Sequence, residues 1–210
     1  MTKEARVSVW MQDDLFSRDA LQGILRMPMT VDARRGITEY SLIDLFRAAK
    51  NTNKGNASRF IRDVHPRERQ TRWDIALTST WVDKMKMVNV AFAHACDMCE
   101  NIKKMAPKCN KANVEWHAML VHPGSPNQPV HVDDEQSTKR GKRCYYTFII
   151  PLTSSPNSGG TYFPKLDKTF SSFGGGVVFD GGVEHAGLAN KSSNDRIFLY
   201  AAIFTGKDVN

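Results

Sequence analysis

The spacing of apolar and polar positions divides the chain near residue 112 into a first half with a helical period and a second half with a period of two. Residues 17–27 (SRDALQGILRM) and 41–50 (SLIDLFRAAK) gather their apolar side chains on one face, and Ser41 with Asp44 has the spacing of a capping box. A loop of Asn, Lys and Gly (NTNKGN) follows, then a basic segment at 58–64 that also reads as helical. A long helix is predicted after Thr80, with Asp83 three residues on and Pro107 ending it. Its apolar stripe runs through Trp81, Met85, Val88, Phe92, Cys96, Cys99 and Ile102. Such a layer needs a sheet to cover.

Beyond residue 113 the pattern alternates and turn residues recur. Candidate strands fall at 114–122, 129–133, 143–152, 160–163, 168–171, 176–180, 184–189 and 196–204, about the number that closes a small barrel or jelly roll. Helices first and strands after predict an α+β chain, mainly β: residues 1–112 a basic helical support region, residues 113–210 a β core, the two read as one integrated domain.

Composition narrows this little: 210 residues with 41% apolar and 24% charged are enough for a full core. No apolar run approaches the roughly 20 residues of a membrane helix, and the N-terminus lacks a signal-like stretch, so an intracellular protein, cytoplasmic or nuclear, with no membrane partner is expected. Four cysteines, unevenly spread, fit a reducing compartment. Cys96 and Cys99, with Cys109 and His94 nearby, have a zinc-like spacing, but their place in the apolar stripe reads as core.

Charge is less even. Residues 1–112 hold 20 of the 29 Lys and Arg against 13 of the 22 acids, whereas residues 113–210 hold 9 of each, so the whole excess of +7 lies in the first half. It is densest between Arg47 and Arg72, a patch able to attract phosphates or an acidic partner, though a solvated basic face explains it as well.

Chemistry concentrates in NQPVHVDDEQ, where one histidine precedes three acids within a strand-like region. Alternation points His131 and Asp133 the same way, and leaves Asp134 and Glu135 to solvent or to supporting contacts. One imidazole and one carboxylate hold a metal weakly, and His185 in GGVEHAG is the best third ligand. Two histidines and one carboxylate make the facial triad that suits non-haem Fe(II) and leaves positions open. Eleven residues later Arg196 opens the last apolar strand, where a guanidinium needs an anion and fits a carboxylate with two hydrogen bonds. Of the other histidines, His117 is read as structural, His122 keeps a minor claim on the pocket wall, and His65 and His94 lie in the helical half.

The succession His131, Asp133, His185, Arg196 resembles the signature of the Fe(II)- and 2-oxoglutarate-dependent dioxygenases. PGSPNQPVH looks like the lead-in of phytanoyl-hydroxylase-like members, GGTYFP is similar to a segment of prolyl- and lysyl-hydroxylase-like members, and FGGGVVFD matches the strand before the distal histidine. The resemblance covers residues 113–205. It implies a double-stranded β-helix of jelly-roll or cupin-like form, with Fe(II) held by His131, Asp133 and His185. It also implies 2-oxoglutarate as co-substrate with its distal carboxylate on Arg196, O2 as oxidant, and ascorbate as a supporting reductant. The expected reaction hydroxylates a substrate while 2-oxoglutarate is oxidatively decarboxylated to succinate and CO2. A hydroxyl usually assists the Arg in that family; Tyr145, Tyr146, Thr147 and Thr161 could serve, with Tyr146 and Thr161 taken as the cofactor-binding candidates.

Three substrate classes follow. A protein side-chain (prolyl- or lysyl-type) hydroxylase leads on GGTYFP; a small-molecule hydroxylase comes next on PGSPNQPVH; a nucleic-acid oxygenase or demethylase rests on the basic stretch. Residues 40–62 are also similar to small DNA-binding domains of viral and phage regulators. A binding module on a decayed barrel is the non-enzymatic alternative, opposed by the intact candidate residues.

Overall fold

The computed structural model describes residues 9–31, 38–51, 55–67, 71–105, 111–134 and 142–206. Glu135, Cys109 and Pro107, which the sequence reading used, lie outside them, as does the side chain of His65. Seven strands form one antiparallel sheet in the order β1 (Val9–Gln12), β10 (Gly176–Asp180), β7 (Lys142–Pro151), β12 (Arg196–Gly206), β6 (Asn113–Val121), β5 (Arg72–Leu77), β4 (Ile61–Arg67). A second sheet has the order β11 (Ala186–Gly187), β8 (Thr161–Phe163), β9 (Lys168–Phe170), and β2 (Met29–Val31) pairs with β3 (Thr38–Tyr40).

Alternation along the strands decides what each face of the large sheet covers. Phe148 and Ile150 of β7 and Ile197, Leu199, Ala201 and Ile203 of β12 pack with Leu21, Leu45, Phe46, Trp81 and Phe92 from the helices, forming the larger core. Ile149, Val177 and Phe179 on the opposite face meet Phe163, Phe170 and Val183 from the small sheet and its approach, forming the smaller core. The two sheets thus face one another as in a double-stranded β-helix, with no closed barrel among the described residues.

The helical layer departs from expectation in three places. α1 (Arg18–Arg26) and α2 (Leu42–Lys50) form as predicted, and Ser41 and Asp44 cap α2 reciprocally. The single long helix is instead α3 (Ser79–Val88), capped by Thr78, and α4 (Val90–Met105). Asn89 separates them because it takes an extended backbone, its Oδ1 accepting from Phe92 N while its Nδ2 donates to Ala20 O of α1. The helix expected at 58–64 is a 3₁₀ turn (Gly55–Arg59) followed by β4, and β5, hidden by its charged Arg72 and Asp74, was not anticipated. Pairing with β6 overrides local propensity there. Strands β1, β4 and β5 of the first 112 residues consequently belong to the same sheet as the later strands.

Most of the predicted strands form near their expected positions, with one exception. Residues 129–133 do not form a strand; they contribute an isolated antiparallel bridge from His131 to His185.

Candidate metal centre and cavity

Two chain segments meet to build the site. Gln128 N donates to Gly187 O (2.8 Å), and His131 and His185 exchange backbone hydrogen bonds (2.9 Å each way). Gln128 Oε1 accepts from Gly187 N (3.1 Å), while the buried Arg72 Nη2 reaches Pro126 O (2.5 Å) and Gly187 O (3.4 Å), riveting both segments to β5. Glycine at 187 leaves room for this approach: a Cβ there would press on Gln128 Oε1 and lie 2.7 Å from Arg72 Nη1, so both side chains would have to shift.

The bridge sets the imidazoles side by side, with ring centroids 4.4 Å apart. Each ring is oriented by a backbone carbonyl: His131 Nδ1 lies 2.9 Å from Pro129 O and His185 Nδ1 lies 3.0 Å from Val183 O. Because a carbonyl can only accept, Nδ1 carries a proton in both rings, and Nε2 is the nitrogen turned toward Asp133. Asp133 Oδ1 stands 3.9 Å from His131 Nε2 and 3.7 Å from His185 Nε2, and one ligand atom from each of the three residues lies within 4.8 Å of the others. The second Asp133 oxygen, Oδ2, accepts a 2.5 Å hydrogen bond from Thr147 Oγ1. Burial pushes the His185 imidazole below its ordinary pKa, against the pull of Asp133, which favours the neutral form that can bind a metal. Phe179 (ring centroids 4.6 Å) and Phe163 form the apolar backing of His185.

This donor set fits a metal. Two imidazoles, each held through Nδ1 by a backbone carbonyl, and one oriented carboxylate converge, the donor set of a 2-His-1-carboxylate site. Among the described residues no other such group of His, Cys, Asp and Glu occurs. Cys96 and Cys99 sit in the larger core as buried free thiols, burial pushing Cys96 up to about 12 and Cys99 higher still. Asp134 turns away: its backbone N donates to Gly181 O and its Oδ2 lies 3.9 Å from Arg143 Nε.

The three residues line a cavity of about 560 Å³. Arg196 and Thr161 share its wall, and Arg196 is buried, with Nη1 donating to Ser158 O (2.8 Å). Gly159, at φ 75°, makes room for this guanidinium, since a Cβ would stand 2.6 Å from Nη1. Tyr146 does not line the cavity; with Tyr145 it packs on the helical face of β7, because Thr147 and Ile149 take the inward positions. Thr147 faces the cavity as well, but its hydroxyl is committed to Asp133 rather than to Arg196.

His117 is a correction of another kind. Read as structural, it faces the cavity, where Nδ1 meets Asp74 Oδ1 at 3.0 Å and the ring stacks on Tyr200 with centroids 4.6 Å apart. His122 points elsewhere, 2.6 Å from Asp195 Oδ1. Asp74 and Tyr200 also line the cavity without having been candidates, and so does Arg67, which the sequence offers only as part of the basic stretch from Arg47 to Arg72. The only available signal was acid and base alternating in RWDIAL, a pattern that marks a strand whose inward face is polar.

Fold and site together give facing β-sheets with a histidine–carboxylate–histidine cluster and a buried arginine in the space between. No protein-family profile matches the chain, and no curated protein matches its sequence. Solved structures do match. A prolyl-4-hydroxylase from Pseudomonas putida superposes with a TM-score of 0.57 at 15% identity, covering 94% of this chain and 92% of its own. EvdO2 from Micromonospora carbonacea var. aurantiaca, solved with 2-oxoglutarate, gives 0.59 at 13% identity, covering 97% and 89%. A viral collagen prolyl hydroxylase from Paramecium Bursaria Chlorella virus-1, also with 2-oxoglutarate, gives 0.54 at 16%, covering 94% and 96%. At such identities the likeness establishes the fold, a double-stranded β-helix shared along nearly the whole chain.

Proposed function

We propose that the protein is an Fe(II)- and 2-oxoglutarate-dependent dioxygenase that hydroxylates its substrate. The observation that carries this reading is the convergence of His131 Nε2, His185 Nε2 and Asp133 Oδ1 in one cavity that also holds Arg196. Bound there, Fe(II) would supply activation of O2 coupled to oxidative decarboxylation of 2-oxoglutarate. The chain's own residues do the rest. Pro129 O and Val183 O hold the imidazole tautomers, and Thr147 holds the carboxylate. Arg196, desolvated and braced on Ser158 O, offers a planar donor fork to the distal carboxylate of the co-substrate. Thr161 lies on the same wall and is the hydroxyl best placed to assist it. The apolar backing of Phe163 and Phe179 excludes water behind His185.

For the substrate, a prolyl- or lysyl-type side chain is the leading reading. The GGTYFP likeness supports it: Gly159 and Thr161 from this segment form part of the cavity region, and two of the matched structures are prolyl hydroxylases. A small-molecule substrate is the second reading, supported by a cavity within the usual range of small-ligand sites, roughly 300–1,000 Å³. The nucleic-acid reading loses ground. Arg62 pairs with Glu115 (2.8 Å), Arg67 with Asp74 (3.1 Å), and Arg72 is buried, so three of the eight basic residues from Arg47 to Arg72 are paired or face inward rather than forming an open basic surface. Among the described residues no helix is long and apolar enough to cross a membrane.

Anaerobic addition of Fe(II) and then 2-oxoglutarate tests the class. A visible metal-to-ligand charge-transfer band is expected, with succinate release on admitting oxygen. Absence of both from folded protein would overturn the reading.

A further inference from the structure

One wall of the cavity carries charge that the proposed chemistry does not use. Asp74 on β5 is buried, yet three donors converge on its two oxygens: His117 Nδ1 on Oδ1 (3.0 Å), Arg67 Nη2 (3.1 Å) and Tyr200 hydroxyl (2.9 Å) on Oδ2. Burying a carboxylate is expensive, and a fold does not need one between β4 and β6 to pair its strands. What the arrangement achieves is to fix the orientation of Arg67.

Capacity for hydrogen bonding decides what the cluster can hold. Asp74 has its oxygens engaged, and Glu115 has Oε1 taken by Arg62 at 2.8 Å and Oε2 turned toward His117 Nε2 at 3.9 Å. Neither acid is open to a cationic ligand. Arg67 is different: only Nη2 meets Asp74, its Nε is buried without a hydrogen-bond acceptor, and its side chain is 31% exposed. A guanidinium with donors that Asp74 leaves unused, partly exposed in the same cavity as the candidate metal centre, can take a further acceptor, and a carboxylate matches its fork.

We propose that Arg67, held in place by Asp74, binds a carboxylate of the prime substrate. This rests on the dioxygenase reading for the meaning of prime substrate. The shared chemistry has two sources: the free carboxylate of a small amino acid derivative, or the acidic side chain of a peptide. Arg67 is the binding residue and Asp74 the positioning residue; His117 and Tyr200 hold Asp74.

The test uses probes that differ only in that carboxylate, titrated calorimetrically into the whole protein under anaerobic Fe(II) with saturating 2-oxoglutarate. N-acetyl-L-proline against N-acetyl-L-prolinamide represents the small acid, and acetyl-Ala-Pro-Glu-amide against acetyl-Ala-Pro-Gln-amide represents the peptide. In at least one pair the acid should bind about tenfold more tightly, as a charge-assisted hydrogen bond predicts. That preference should vanish in Arg67→Met, survive in part in Arg67→Lys, and shrink in Asp74→Asn, whose fold is checked by circular dichroism. The pair that discriminates identifies the source. No acid preference in either pair, or a preference unchanged in Arg67→Met, overturns the proposal. The charge-transfer band on the native protein separates this failure from that of the dioxygenase reading, because the band does not involve Arg67.

Discussion

Thr147→Val isolates the one side chain that orients the candidate carboxylate ligand. Thr147 is buried, and its hydroxyl holds Asp133 Oδ2 at 2.5 Å, leaving Oδ1 to face the two imidazole nitrogens at 3.7 and 3.9 Å. Valine keeps the shape and removes the donor, so Asp133 can rotate and no single oxygen is presented to the metal. A hydrogen bond to a charged group is worth about 1.5–3 kcal/mol, and loss of a partner behind a metal ligand typically lowers affinity about 10–100-fold. At about 1.4 kcal/mol per tenfold, the two ranges coincide, so most of the hydrogen bond should appear in the metal affinity. The assay is a titration with Mn(II), a redox-stable stand-in for Fe(II), following the resonance of the free ion. Native protein, Thr147→Val, Thr147→Ser and Asp133→Ala are compared. Thr147→Val should weaken binding within that range, Thr147→Ser should restore most of it, and Asp133→Ala should lose it. Equal affinity in the native protein and Thr147→Val, with Asp133→Ala inactive in binding, would refute the reasoning: Asp133 would then be oriented by something else.

Three further expectations follow from the same geometry. His131→Ala and His185→Ala should abolish metal binding and succinate formation while Asp134→Ala leaves both largely intact; equal losses at Asp133 and Asp134 in the same titration would show the ligand choice to be wrong. Arg196→Ala should raise the 2-oxoglutarate concentration needed for half-maximal turnover far more than it weakens metal binding, and Gly159→Ala, whose Cβ would lie 2.6 Å from Arg196 Nη1, should act in the same direction; an unchanged requirement in Arg196→Ala rejects the assigned role. Thermal stability should depend on pH through Asp74 and His117. Burial, the largest single influence, would raise the Asp74 carboxyl, but His117, Arg67 and Tyr200 together outweigh it and hold the pKa below its ordinary 3.8, so its contribution is present above that value and lost as pH falls through the lower folded pKa. Burial, the largest single influence, would lower His117, but Asp74 and Glu115 together outweigh it and hold the pKa above 6.5, so its contribution is present below 6.5 and lost as pH rises through the higher folded pKa. Melting curves across pH should flatten on the alkaline side in Asp74→Asn, and an identical alkaline decline in that variant would count against the pair.

Legibility from sequence followed the range of the interaction. The capping box of α2 and most of the strands after residue 113 depend on neighbours a few positions apart, and they were readable. His131 with Asp133 was readable for the same reason, and His185 and Arg196 through the spacing of a known signature. Residues 58–64 misled because a basic, weakly periodic segment has no local marker for the partner strand that makes it β4. The break at Asn89 was missed because the apolar stripe continues through it, whereas the cap depends on a carbonyl of α1 that lies far away in sequence.

The cluster around Asp74 shows where such reading stops. Its contacts span 43 residues to His117 and 126 to Tyr200, across strands β5, β6 and β12. Alternation tells which face a residue takes but not its register, and a slip of two positions preserves every face while exchanging every partner. The observed register pairs Tyr200 with His117 and Asp74 with Met119, and only in that register do a phenol, an imidazole and a guanidinium reach one carboxylate. An apolar set of residues would have satisfied the same pairing without the desolvation cost of a buried acid. The cost is tolerated on the cavity face and absent from the helical face of the same strands, where Ile75, Ala118, Leu199 and Ala201 fill the core. That asymmetry is why the polar cluster is better explained by a ligand entering the cavity than by stability of the sheet.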